Sequence, residues 1–153
     1  MNDLKLPASV DEMPDVDTDF AVWAGHQIGL LRARSFQELD VEHLIEELES
    51  LVANDRRELR NRLVVLLIHL LKCQFQATRK SRSWLGTIAE QRDQLDGLFE
   101  KSPSLRHLVP EVLAGCYAPA VKRAVSETGL PAAAFPVSNP YSPAEVLDDD
   151  FVP

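Results

Sequence analysis

The sequence predicts an all-α protein: a compact helical bundle around one long central helix, from about Asp40 to Gln76, with a C-terminal tail that wraps over it. Three observations carry this. Val41, Leu44, Ile45, Leu48, Leu51, Val52, Leu59, Leu63, Leu66 and Leu70 recur at three- and four-residue spacing, which draws one apolar stripe along a helix. The stretch Leu63 to Leu71 also turns apolar on its other faces, so neighbours must cover it on several sides. No segment alternates apolar and polar residues with comparable strength, and no internal repeat is present.

In chain order, residues 1–16 are expected to be a flexible acidic lead-in, and residues 17–153 a single helical domain. A first helix is predicted over about Thr18 to Ala33, capped by Asp17 or Thr18, with Phe20, Trp23, Ala24, Gln27 and Leu31 turned inward. Arg34 to Leu39 connects it to the long helix. There Asp40 is the expected N-cap, and Glu42, Glu46 and Glu47 sit at the positive end of the helix dipole. The basic turn Ala77 to Arg82 leads into a third helix, about Arg82 to Lys101, capped by Ser81 or Ser83. Its inner side carries Trp84, Leu85, Ile88, Leu95, Leu98 and Phe99, with Gln91 and Arg92 on the same side. Ser102-Pro103 restarts a fourth helix that Pro110 and Pro119 should bend or split and Gly129 should end. In the tail, Leu130, Phe135, Tyr141 and Phe151 are apolar pegs among four prolines, and Ser142 to Glu145 has the spacing of a capping box.

At 153 residues and 45% hydrophobic, the chain is large enough to bury a core of its own. The nine-residue apolar run is far short of the ~20 residues a bilayer requires, so no membrane span is expected. The N-terminal residues lack a basic and then apolar signal pattern, which predicts a cytoplasmic protein. Cys73 and Cys116 both fall on apolar faces, as suits buried thiols. The net charge of −8 is uneven: residues 53–92 hold nine basic residues against Asp55, Glu58 and Glu90, a local +6, and both ends are acidic.

Within the stripe lies a polar column, Asp55, Arg62, His69 and Gln76, seven residues apart, with Glu58 one turn from Arg62. Polar groups taken out of water need partners, so the column is either a satisfied interhelical network or a cleft with His69 as acid, base or ligand. The first is favoured, because a seven-residue spacing of about 10.5 Å keeps Arg62 and His69 from sharing a ligand unaided. Arg92 could help from the third helix, or pair with Glu47 or Asp55. No catalytic residue is therefore assigned, and His69, Arg62, Glu58 and Arg92 stand as the candidates. Arg79, Lys80 and Arg82, ahead of a helix N-terminus, form a candidate anion site. Neutralisation of helix carbonyls or of the acidic tail explains them more simply. No cofactor and no metal are called for: there is no Glu-x-x-His pair, and an acidic first turn accounts for Glu47 beside His43 without a metal. His43 and His107 are read as solvated. Nucleic acid is an unlikely partner, since the basic middle has no recognition motif and the acidic ends oppose phosphate.

The ordered strings Asp19-Phe20-x-x-Trp23, Leu44-Ile45-Glu46-Glu47-x-Glu49, Leu66-Leu67-x-His69-Leu70-Leu71-Lys72, Ser83-Trp84 with Gln91-Arg92, and Pro140-Tyr141-Ser142 resemble the bacterial domain-of-unknown-function family twenty-nine, common in cyanobacteria. The resemblance runs from about Asp17 to Pro153. It implies a helical fold and brings no activity, substrate or catalytic residue with it. Members usually carry tryptophan where this chain has Cys73. The functional expectation is a non-enzymatic module of the bacterial cytosol that binds a protein partner or itself. The alternative is an enzyme or nucleic-acid-acting protein with an interhelical polar cleft around His69.

Overall fold

The computed structural model describes residues 14–153, so most of the acidic lead-in expected over residues 1–16 lies outside the described residues. Every element among the described residues is helical: α1 (Phe20–Ala33), α2 (Val41–Phe75), α3 (Arg82–Lys101), α4 (Val109–Ala114), α5 (Tyr117–Thr128) and α6 (Pro143–Leu147), joined by 3-10 turns. The chain divides into two compact units at Val52 and Ala53, so α2 supplies its first twelve residues to one and the remainder to the other.

In the first unit, α1 begins two residues later than the sequence predicts. Asp15 accepts the amides of Asp17, Thr18 and Asp19 through its side chain and carbonyl, which spends them in a turn. Asp19 becomes the N-cap instead, receiving the Val22 amide at 3.1 Å. Arg34, at φ 59°, ends α1 in the left-handed region. Trp23 and Gln27 are the residues α1 buries, at 2% and 1% exposure. Phe20 and Leu31, expected inward, are 53% and 45% exposed.

The long apolar stripe is buried over only part of its length. Its second half, Leu59, Leu63, Leu66 and Leu70, has no exposed surface, whereas Val41, Ile45, Leu48, Leu51 and Val52 are 50–62% exposed. Periodicity marks the face of a helix that favours cover. It does not say whether the chain itself supplies the cover.

In the second unit, α2 from Leu59 to Cys73 is the axis of the core, covered by Ile88, Leu95 and Phe99 of α3, Val109 and Leu113 of α4, Ala120 and Ala124 of α5, and the tail's Phe135, Tyr141 and Val146. Each fully buried leucine here contributes about 1.5–3 kcal/mol from apolar transfer. Both cysteines are buried free thiols. The third helix runs from Arg82 to Lys101 as predicted, and of its two possible caps Ser81 is the one used, receiving the Trp84 amide at 3.3 Å. The predicted fourth helix is three pieces, a 3-10 turn (Pro103–Leu108), α4 and α5. Pro110 lies in the first turn of α4 and Pro119 in that of α5, so these prolines start helices rather than kink one. Gly129 ends α5 at φ 72°, a conformation a side chain would strain. The capping box forms: Ser142 Oγ accepts the Glu145 amide, and the Glu145 carboxylate accepts the Ser142 amide at 2.8 Å.

Candidate functional site

The polar column is spent on separate partners. Asp55 receives Lys101 Nζ at 3.0 Å and the Ser102 hydroxyl at 3.2 Å, and the Lys101 hydrogen bond holds its carboxyl below the usual carboxylate range. Arg62 donates to Gln91 Oε1 and to Glu58, both at a long 3.4 Å. His69 Nδ1 lies 2.9 Å from the Val65 carbonyl oxygen, and burial pushes its pKa down, favouring the neutral ring. Gln76 Nε2 donates to the Thr128 carbonyl at 3.2 Å. Three of the four thus reach another helix, and none of them reaches another member.

Arg92 is turned to the tail. At 2% exposure it donates to four carbonyl oxygens of the tail: Val146 at 3.0 Å, Phe151 at 2.9 Å, Glu145 at 3.3 Å and Asp149 at 3.4 Å. A guanidinium carries five N–H donors in a fixed plane, which suits it to gather carbonyls from the last turn of α6 and from the residues after it. Its expected pairing with Asp55 does not form, since Asp55 is held by Lys101 and Ser102.

Sequence reading gave Lys72 no partner, yet its ammonium group sits 4.5 Å from the centre of the Trp84 ring and 2.9 Å from Glu127, with only 9% of its side chain exposed. The legible signal was a lysine within an otherwise apolar run. Its partner lies 55 residues away, which spacing does not reveal.

Arg62, Glu58 and Gln91, with Asn54, Arg57 and Asn61, line an open cavity of about 370 Å³. His69 and Arg92 do not line it. Of the anion-site candidates, Lys80 donates to the Pro153 carbonyl oxygen at 2.8 Å, and Arg79, Lys80 and Arg82 are all exposed.

In the first unit, Asp40 is a hub that sequence reading took only for a cap. It accepts the Trp23 indole N–H at 3.0 Å and the His43 amide at 3.4 Å, and its own amide donates to Gln27 Oε1 at 2.9 Å. His43 Nδ1 stands 2.8 Å from Asp40 Oδ2, and this contact raises the histidine pKa. Burial opposes ionisation of Asp40, but the hydrogen bonds from His43 and Trp23 outweigh it and lower its pKa. An Asp–His pair can orient and charge an imidazole. With Trp23 and Gln27 also bonded to Asp40, the pair fastens the start of α2 to α1. No cluster of three or more His, Cys, Asp or Glu side chains that could hold a metal is found among the described residues. Nor is any helix there long and apolar enough to cross a membrane.

Among the described residues, α2 from Val41 to Val52 exposes Val41, Ile45, Leu48, Leu51 and Val52, with Glu42, Glu46 and Glu49 exposed along one flank.

No curated protein and no solved structure matches the chain. The family model for the domain of unknown function DUF29 matches residues 16–152, nearly the whole chain. The strings that carried the resemblance have consistent structural places: Trp23 on the Asp40 hub, Lys72 on Trp84, Arg92 on the tail carbonyls. The chain belongs to the DUF29 family.

Proposed function

We propose that the protein is a non-enzymatic interaction module of the bacterial cytosol that docks a protein partner on the first part of α2. One observation carries this reading: Val41, Ile45, Leu48, Leu51 and Val52 lie at helical spacing and are each at least half exposed. An apolar face of that extent favours association, because water leaves it at a gain of about 25 cal/mol per Å². Asp55, His69, Gln76 and Arg92 each hold hydrogen bonds within the fold, which supports an interaction reading over one centred on His69. The test is quantitative capture from the protein's own cytosol, comparing the parent with Leu48→Asp. A protein recovered in stoichiometric amount by the parent and lost by the variant supports the reading. Equal recovery by both, or recovery by neither, contradicts it.

The alternative, an enzyme or nucleic-acid-acting protein, keeps one supporting observation, the open cavity beside Arg57 and Arg62. Titration with phosphate or a nucleotide tests it. A salt-sensitive rise in melting temperature that Arg62→Ala abolishes would favour it, and the absence of any shift would remove it.

A further inference from the structure

We infer that the partner presents a basic amphipathic helix, which lies along the Val41–Val52 face of α2; this rests on the interaction reading above. Val41, Leu44, Leu48 and Leu51 alternate at three and four residues, the register of a coiled-coil seam, and Ile45 and Val52 widen it on one side. The exposure of Val41, Ile45, Leu48, Leu51 and Val52 leaves on the order of 500 Å² of apolar residue surface in water on α2, more than half of one partner's ~800 Å² share of a stable interface. The face is about 16 Å long, three turns, which is the reach of helix-in-groove recognition.

Charge selects the occupant. Residues 14–52 contain nine acidic residues against Arg32 and Arg34, a net −7. Glu42, Glu46 and Glu49 run along one flank of the seam, all exposed, and Glu47 lies on the other. A helix with leucine-like residues at its seam and lysine or arginine beside them meets both demands at once. A second copy of this chain meets only the first. It brings −7 against −7 within the ~8 Å over which charges interact at physiological salt.

The experiment uses the whole chain and two synthetic peptides of about fourteen residues, long enough for the three exposed turns. Both carry leucines at heptad seam positions. One has lysine elsewhere and the other glutamate. Binding is read by fluorescence anisotropy, and sedimentation reports the protein's own oligomeric state. The lysine peptide is expected to bind at least tenfold more tightly than its glutamate twin, about 1.4 kcal/mol, with the preference shrinking at high salt. Leu48→Asp should abolish binding although it adds negative charge, which separates seating on the seam from plain attraction. The triple variant Glu42→Lys, Glu46→Lys, Glu49→Lys keeps the seam and should reverse the preference. Equal binding of both peptides, no binding of either, or a protein dimer that Leu48→Asp converts to monomer would overturn the inference. A Leu48-dependent partner captured from cytosol whose contacting helix is acidic would overturn it too, while leaving the interaction reading standing.

Discussion

Arg92 on α3 donates through Nε to the Val146 carbonyl oxygen, 3.0 Å away, and so ties a third helix to the last one from within the protein. With its three other carbonyl partners, this one side chain replaces the hydration that the end of α6 would otherwise require. Burial lowers the Arg92 pKa, yet a guanidinium starts so high that it stays charged throughout the working range.

Arg92→Leu should therefore destabilise the protein by about 3 kcal/mol, because several buried acceptors lose charged donors together. Arg92→Lys should recover only part of that, since one ammonium cannot span the same set of carbonyls. Urea unfolding followed by circular dichroism gives both values. Loss of under 0.5 kcal/mol in the leucine variant would contradict the clasp.

Lys72 and Glu127 make the second strut. Glu127→Ala leaves the ammonium of Lys72 in place with only the Trp84 ring, and a cost of ~2 kcal/mol is expected at neutral pH. The Lys72 hydrogen bond lowers the Glu127 pKa from 4.5, so its stabilisation is complete above 4.5 and is lost as pH falls through the lower folded value. Melting temperatures should fall more steeply below pH 4.5 in the parent than in Glu127→Ala.

The two histidines titrate in opposite directions. The His43 pKa is raised above 6.5 by its contact with Asp40, so its stabilisation is present below 6.5 and fades as pH rises through the folded value. The His69 pKa is lowered by burial, so its contribution is complete above 6.5 and declines as pH falls toward the folded value. Titration of the imidazole resonances by NMR should place His43 above 6.5 and His69 below it. Asp40→Asn should bring His43 down and leave His69 unchanged.

These partners show how far the residues alone could be read. The helices, Ser142 with Glu145, Gly129 and the buried axis from Leu63 to Leu71 were legible, because caps, turns and periodicity act within a few residues. Arg92 was placed on the inner side of its helix, but its partners lie 53 to 59 residues away, beyond what spacing can show. His43, read as solvated, is held by Asp40 in a contact at i, i+3 that the sequence did contain. The stripe along α2 is one periodic pattern, and its part from Val41 to Val52 has the same spacing as its buried part. An exposed apolar face and a buried one share the same spacing, because the pattern does not record what covers it.

Substitutions along α2 should separate those two faces. Leu67→Ala, in the fully buried part, is expected to cost about 2–5 kcal/mol through lost contacts and a cavity. Leu48→Asp, at 62% exposure, should stay within about 0.5 kcal/mol of the parent. Thermal or urea melts of the two variants make the comparison.

Site-specific photo-cross-linking probes the proposed docking face at Val41–Val52 without disturbing the fold. A photoreactive phenylalanine analogue is placed at Leu48 in one protein and at Arg79 in another, and each is irradiated in the source cell. A single discrete protein adduct is expected at Leu48, mapped by mass spectrometry to a lysine- or arginine-rich helical segment, and none at Arg79. No adduct at Leu48, or the same adduct from both positions, would contradict the proposed docking face.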